Sequence, residues 1–211
     1  MIHFDELFPR WNIHPTGVLH LGSNRCQEAE VYKAHEVKEV IWIDAIPSLI
    51  PDMEQHLKLT GCYDEATLIC ACVGDEEGKE VEFNISNNES QSSSYLELGH
   101  HKIIHPSVEY VDKFKTTIQR VDNIFPADRF KEGKWLLNAD LQGSELQAFK
   151  GMGELIKDFE WIYSEVNFKE CYLGGALVWE VDSYLQTFGF YRTETGVIVG
   201  ETWTDALYIK K

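Results

Sequence analysis

Positive charge is scarce in this chain: 19 Lys and Arg stand against 35 Asp and Glu in 211 residues, a formal net charge of −16. Nonspecific binding to nucleic acid or to an anionic membrane surface needs clustered Lys and Arg, so the balance argues against both partner classes. No apolar run approaches the roughly 20 residues a membrane-spanning helix requires. The opening MIHFDELFPRWNIHP carries acids and no continuous apolar stretch, unlike a signal peptide. The five cysteines, Cys26, Cys62, Cys70, Cys72 and Cys171, are odd in number and show neither a CxxC nor a Cys/His zinc spacing. They read as reduced thiols of a cytoplasmic protein, mostly small core residues. The histidines lack an HxxxH or HExxH pattern, and no metal is expected.

A hydrophobic content of 44% over 211 residues supports one core, hence a single domain spanning 1–211 with a short cap at 1–16 that carries no function. The first informative stretch runs from Gly17 to Asp44. Val18–Leu21 is a short apolar run suited to the middle of a covered parallel sheet, Gly22 supplies a tight turn, Gln27–Ala34 follows as a helix, and Val40–Ile43 is the next buried strand. Asp44 closes that strand at its carboxyl end, where an acid can accept both hydroxyls of a ribose; Gly22 and Asp44 would line one crevice. The turn lacks the second and third glycines of the dinucleotide fingerprint, since Gly22-Ser23-Asn24-Arg25-Cys26 keeps only the first. A cofactor with a ribose and no pyrophosphate fits better, and S-adenosylmethionine is such a cofactor.

Further along, Ser48 is placed to cap a helix ending at Gly61, and Ala66–Val73 forms a third strand. Cys72 and Val73 after it are either contacts to an adenine ring or ordinary core. Glu80–Ile85 and Lys115–Val121 alternate as strands around a polar inserted loop or lid at 86–112. That insert carries Gln91–Ser94, where Ser93 and Ser94 can bind a polar ligand end, and His100, His101 and His105, expected on a solvated lid. In Trp135–Gly153, a buried strand to Ala139 leads to Asp140, a turn at Gly143 and a helix from Ser144 to Lys150 that Gly151 is placed to end. Trp161–Val166 is a fifth strand, and Leu177, Val181, Leu185 and Phe188 mark the buried stripe of a helix. Phe190–Thr193 and Ala206–Ile209 close the sheet as a hairpin, with Trp203 in the connection as core or as substrate cover.

Taken together, HLGSN at His20–Asn24, WIDAIP at Trp42–Pro47, Ser92–Ser94, NADLQGSELQAFKGM at Asn138–Met152, SEVN at Ser164–Asn167 and the closing DALYIKK resemble the FkbM family of S-adenosylmethionine-dependent methyltransferases. The resemblance implies an α/β class I methyltransferase fold: a Rossmann-like three-layer sandwich on a mostly parallel seven-stranded sheet with an antiparallel last strand. It implies O-methylation of a hydroxyl on a small molecule, sugar or polyketide-like acceptor, and cofactor contacts from His20, Gly22, Ser23, Asn24, Glu28, Asp44, Ala45, Ile46, Cys72, Val73 and Asp140. Two departures stand out. His20 occupies a place where most methyltransferases have an acid, and Cys26 puts a side chain where the second glycine lets backbone approach the cofactor.

Asp140 and Glu165, at the ends of neighbouring strands, are the acids best placed to orient or deprotonate the hydroxyl. Ser93, Ser94, Gln142 and Asn167 are the candidate substrate contacts. A non-catalytic nucleoside-binding module of the same fold and a nicotinamide-dependent oxidoreductase stay open as alternatives.

Overall fold

The computed structural model describes residues 2–64 and 66–211. The elements in chain order are α1 (Phe4–Trp11), β1 (Gly17–Leu21), α2 (Ala29–Ala34), β2 (Glu39–Asp44), α3 (Ile50–Thr60), β3 (Ala66–Cys70), β4 (Cys72–Val73) and β5 (Glu80–Ser86). They continue as α4 (His101–Ile104), β6 (Tyr110–Gln119), α5 (Val121–Ile124), β7 (Trp135–Ala139), α6 (Glu145–Met152), β8 (Phe159–Asn167), α7 (Val178–Gln186), β9 (Phe190–Thr195) and β10 (Trp203–Lys210).

Seven strands form one sheet in the order β3-β2-β1-β7-β8-β10-β9. All neighbours pair parallel except β10, the last in sequence, which runs antiparallel to both β8 and β9. The order reverses between β1 and β7, so a crevice opens where their carboxyl ends diverge. Both faces are covered: every residue of β1 and β7 is buried, as expected of parallel strands between two helical layers. Alternation sorts the side chains. Leu19, Ile41, Leu137 and Ile162 pack under α6 and α7, while Val18, Trp42, Leu136 and Trp161 pack under α1, α2 and α3.

Four sequence expectations shift. The strand expected at 66–73 breaks at Ala71, whose N–H donates to the Asp44 carbonyl at 2.9 Å; Cys72 and Val73 then join β6 and β5 in a separate three-stranded sheet. The strand expected at 115–121 instead runs from Tyr110 to Gln119, and Val121 opens α5. Ser48 lies inside a 3-10 turn, leaving Leu49 as the residue preceding α3. Gly151 does not end its helix: α6 continues through it to Met152, and Gly153 follows at φ +53°. Gly151 is there for close approach, because a Cβ on it would lie 2.0 Å from the Gly74 carbonyl oxygen.

The chain between β5 and β6 is stitched down rather than loose. Gly99 N–H donates to the Cys171 carbonyl at 2.8 Å and Leu173 N–H to the Glu97 carbonyl at 2.8 Å, joining the insert to the loop after β8. His101 is accordingly buried, not solvated as expected, because α4 turns it inward against the Tyr172 ring, 5.5 Å between centroids.

Candidate active site

The carboxyl ends of β1, β2, β7 and β8 open into one cavity of about 670 Å³, roofed by the insert. That volume falls within the several hundred Å³ usual for small-molecule sites. Its first wall is the turn after β1. Gly22 takes φ +78°, and a Cβ there would meet the Asp140 carbonyl oxygen at 1.8 Å, so a side chain is excluded both by conformation and by space. Asp140 N–H donates to the Leu21 carbonyl at 3.0 Å and Gly22 N–H to the Ile43 carbonyl at 2.8 Å, tying three strand ends together.

Asp44 is 7% exposed and takes one backbone N–H on each oxygen: Ile46 N–H on Oδ1 at 2.9 Å and Asn24 N–H on Oδ2 at 2.8 Å. The carboxylate is thereby oriented, and each oxygen keeps a lone pair for a ligand hydroxyl. Burial pushes its acid up to about 6, against the pull of those backbone donors. The expected obstruction at Cys26 does not occur. Its side chain is fully buried in the core under α1–α3, and it is absent from the cavity wall. Its backbone takes φ +58°, the left-handed conformation in which glycine is favoured.

Beneath the turn, His20 is buried with Asn138 and Tyr32. Asn138 Nδ2 donates to the Tyr32 hydroxyl at 2.8 Å, and the His20 Nδ1 lies 3.4 Å from that hydroxyl. Burial holds the imidazole down to about 3, so His20 is neutral, and the 3.8 Å approach of Glu28 Oε2 to its Nδ1 is no ion pair at neutral pH. Glu28 lines the cavity beside it, its acid raised by burial.

The opposite wall is acidic. Asp140 opens into the cavity, and Gln142 bridges it to Glu165: Gln142 Nε2 donates to Asp140 Oδ1 and to Glu165 Oε2, the latter at 3.4 Å. Gln142 sits at φ +52° immediately before Gly143 at φ +97°, two left-handed residues that turn the chain sharply between β7 and α6. Tyr172 donates its hydroxyl to Gln142 Oε1 from the far side. Glu145, the first residue of α6, pins the turn before it, its Oε1 accepting Leu141 N–H at 2.7 Å and Gly143 N–H at 3.2 Å. Enclosure by protein, and then mutual repulsion among Asp140, Glu145 and Glu165, raise the acids of Asp140 and Glu165.

Of the residues singled out by sequence, His20, Gly22, Ser23, Asn24, Glu28, Asp44, Ala45, Ile46, Cys72, Val73, Ser93, Asp140, Gln142 and Glu165 all line this cavity. Ser94 and Asn167 do not. Ser94 Oγ donates to the Gln142 carbonyl at 3.0 Å, and Asn167 Nδ2 reaches Glu165 Oε1 at 3.4 Å from behind. Sequence reasoning missed Tyr95, Tyr172 and Asp205, all on the wall, and discounted the opening segment, from which His3, Phe4 and Asp5 also reach it. Asp205 was findable, because it falls opposite Glu165 in the β8–β10 ladder. Among the described residues, no group of three or more His, Cys, Asp or Glu could hold a metal ion, and no helix is long and apolar enough to cross a membrane.

Solved structures share the fold at low identity. Magnesium protoporphyrin IX methyltransferase from Synechocystis PCC 6803 with bound SAM superposes with TM-score 0.54 at 11% identity, covering 98% of this chain and 76% of that one. A putative tRNA (m1A22) methyltransferase from Streptococcus pneumoniae gives 0.54 at 10%, covering 100% and 71%. A protein of the NADB-Rossmann superfamily from Streptococcus agalactiae gives 0.55 at 5%, covering 100% and 69%. No curated protein matches the chain. Strand order, the antiparallel last strand and these neighbours together make this a class I methyltransferase fold. The family model of the methyltransferase FkbM domain matches residues 19–191, and the chain belongs to that family.

Proposed function

We propose that this protein is an S-adenosylmethionine-dependent O-methyltransferase acting on a hydroxyl of a small molecule. The observation that carries the reading is the pairing of a bare backbone turn at Gly22 with the oriented carboxylate of Asp44 on one wall, facing Asp140 and Glu165 on the other. Asp44 fits a ribose, since both its oxygens are fixed and still able to accept. Cys72 and Val73 on the same wall suit the adenine ring, and Glu28 suits the ammonium of the methionine part. A cavity without Lys or Arg among its described lining residues favours a small acceptor over nucleic acid. Five free cysteines support a cytoplasmic location.

When bound, the cofactor supplies a methyl carbon on a sulfonium, which accepts the electron pair of the breaking carbon–sulfur bond as the acceptor oxygen attacks. The protein's share is positioning and proton removal. Asp140 and Glu165, held by Gln142, are placed to take the hydroxyl proton. An acid raised towards neutrality makes a stronger base, once ionised, than an ordinary carboxylate.

Calorimetry with S-adenosylhomocysteine tests the reading. Micromolar binding is expected for the wild type. Asp44→Ala should weaken it at least 100-fold, since hydrogen bonds to a charged group are worth about 1.5–3 kcal/mol each. Unchanged affinity in that variant, or stabilisation by NADH in place of S-adenosylhomocysteine, overturns it. Methyl transfer to any member of a panel of hydroxyl compounds separates an enzyme from a fold that only binds.

A further inference from the structure

The cavity's charge is one-sided. Glu28, Asp44, Asp140, Glu165 and Asp205 all reach its wall, and among the described residues no Lys or Arg does. Asp44 is satisfied by backbone donors and suited to hydroxyls. A bound S-adenosylmethionine brings a sulfonium, an ammonium and a carboxylate, a net charge of only +1 for the remaining acids. Glu165 is the outstanding one. It is 7% exposed, and its donors among the described residues are two neutral amides, Gln142 Nε2 and Asn167 Nδ2, each at 3.4 Å. No ion pair reaches it among the described residues. A carboxylate removed from water costs several kcal/mol unless a cation or strong donors replace that water. Its acid is raised accordingly, by burial first and then by Asp140 and Glu145.

A second group at the same end of the cavity is also incomplete. His101 lines the wall, is 6% exposed, and its Nδ1 has no hydrogen-bond partner, while its Nε2 is held by Ser92 Oγ at 3.2 Å. Its ring packs against Tyr172, whose hydroxyl donates to Gln142, the residue that touches both Asp140 and Glu165. Buried polar atoms of native proteins are satisfied as a rule, so a ligand that supplies a hydrogen-bond partner to Nδ1 and a cation to Glu165 completes both.

We propose that the acceptor is an amine-bearing hydroxyl compound, of the amino sugar or amino alcohol class, whose ammonium seats against Glu165 while a hydroxyl of the same molecule hydrogen-bonds His101 Nδ1. This rests on the methyltransferase reading and narrows its substrate, with Glu165 holding the ammonium and Asp140 left to take the hydroxyl proton. The same charge disfavours phosphorylated and carboxylated acceptors.

The test loads the protein with S-adenosylhomocysteine and titrates matched probes by calorimetry: glucosamine, galactosamine and mannosamine, their parent hexoses, and the corresponding hexose 6-phosphates. The amines should bind about tenfold or more tightly than the neutral sugars, as charge-assisted hydrogen bonds require, and the phosphates should not bind. Glu165→Gln should erase the preference for the amine while leaving S-adenosylhomocysteine binding unchanged, which also reports that the variant is folded. Equal or tighter binding by any neutral or phosphorylated counterpart, or no binding by any of the amines at 10 mM, overturns the inference. Failure to bind S-adenosylhomocysteine overturns the methyltransferase reading instead, so the two failures are distinct.

Discussion

The two walls of the cavity are built by different means. The β1–β2 wall works through backbone: a glycine turn that only glycine can make, and a carboxylate whose aim is set by the N–H groups of Asn24 and Ile46. The β7–β8 wall works through side chains recruited from three separate stretches, with Gln142 bonded at once to Asp140, Glu165 and Tyr172, and His101 brought in by the insert. A backbone wall suits a ligand that never changes. A side-chain wall can be redrawn by a few substitutions, which is how one fold serves many acceptors.

The largest expected effect breaks this division where the walls touch. Gly22→Ala forces a Cβ into the Asp140 carbonyl at a left-handed φ, and so should disturb both walls together. The expected cost is about 3 kcal/mol, from the conformation and from the displacement of packed backbone. In a domain of this size that lowers Tm by roughly 10 °C. S-adenosylhomocysteine affinity should fall in parallel. A variant of wild-type Tm would mean the two walls are not in register as described.

A smaller effect sharpens the division. Tyr172→Phe removes the hydroxyl that Gln142 Oε1 accepts from, freeing Gln142 to rotate away from Asp140. About 1 kcal/mol of stability should go with it. Acceptor methylation should drop, while S-adenosylhomocysteine affinity stays within about twofold. A tenfold loss of that affinity would show that the side-chain wall also holds the cofactor, and the division would collapse.

The same contrast explains what was legible in the sequence. Gly22 and Asp44 announce themselves, because a turn glycine and a strand-end acid about 20 positions apart are local features of one βαβ unit. So do the strand order and the antiparallel last strand, once the family resemblance is noticed. Tyr172 and His101 carry no local signal; Tyr172 bonds Gln142, and His101 packs on Tyr172 only because the insert bonds to the loop after β8, a contact some 70 residues apart in the chain. Ser94 illustrates the converse. It sits in a conspicuous serine run, yet the turn that carries Ser92 leaves both Ser92 and Ser93 on the cavity, while Ser94, bridged to Asn84, gives its hydroxyl to the Gln142 carbonyl. Gly151 was misread because a glycine near a helix end usually terminates it, and only the packed structure reveals the Gly74 carbonyl that needs the space.

The remaining expected effect is a pH dependence in which the two walls overlap. His20 is held at about 3 against an ordinary 6.5; its neutral form contributes stability that is complete above 6.5 and is lost as pH falls towards 3. Asp44 runs the other way. Held at about 6 against 3.8, it contributes fully below 3.8 and its contribution is lost as pH rises through 6. The raised acids of Asp140 and Glu165 add to that alkaline decline. The ligand-free protein should therefore show a Tm maximum on the acid side of neutrality, each titrating group changing stability by at most about 1.4 kcal/mol per pH unit. S-adenosylhomocysteine should flatten only the part of the decline due to Asp44, because ribose hydroxyls stabilise its ionised form. Asp140→Asn should flatten a further part, leaving the share due to Glu165. A Tm that climbs steadily from pH 4 to pH 8.5 would contradict the raised acids of Asp44, Asp140 and Glu165 and, with them, the electrostatic half of the contrast.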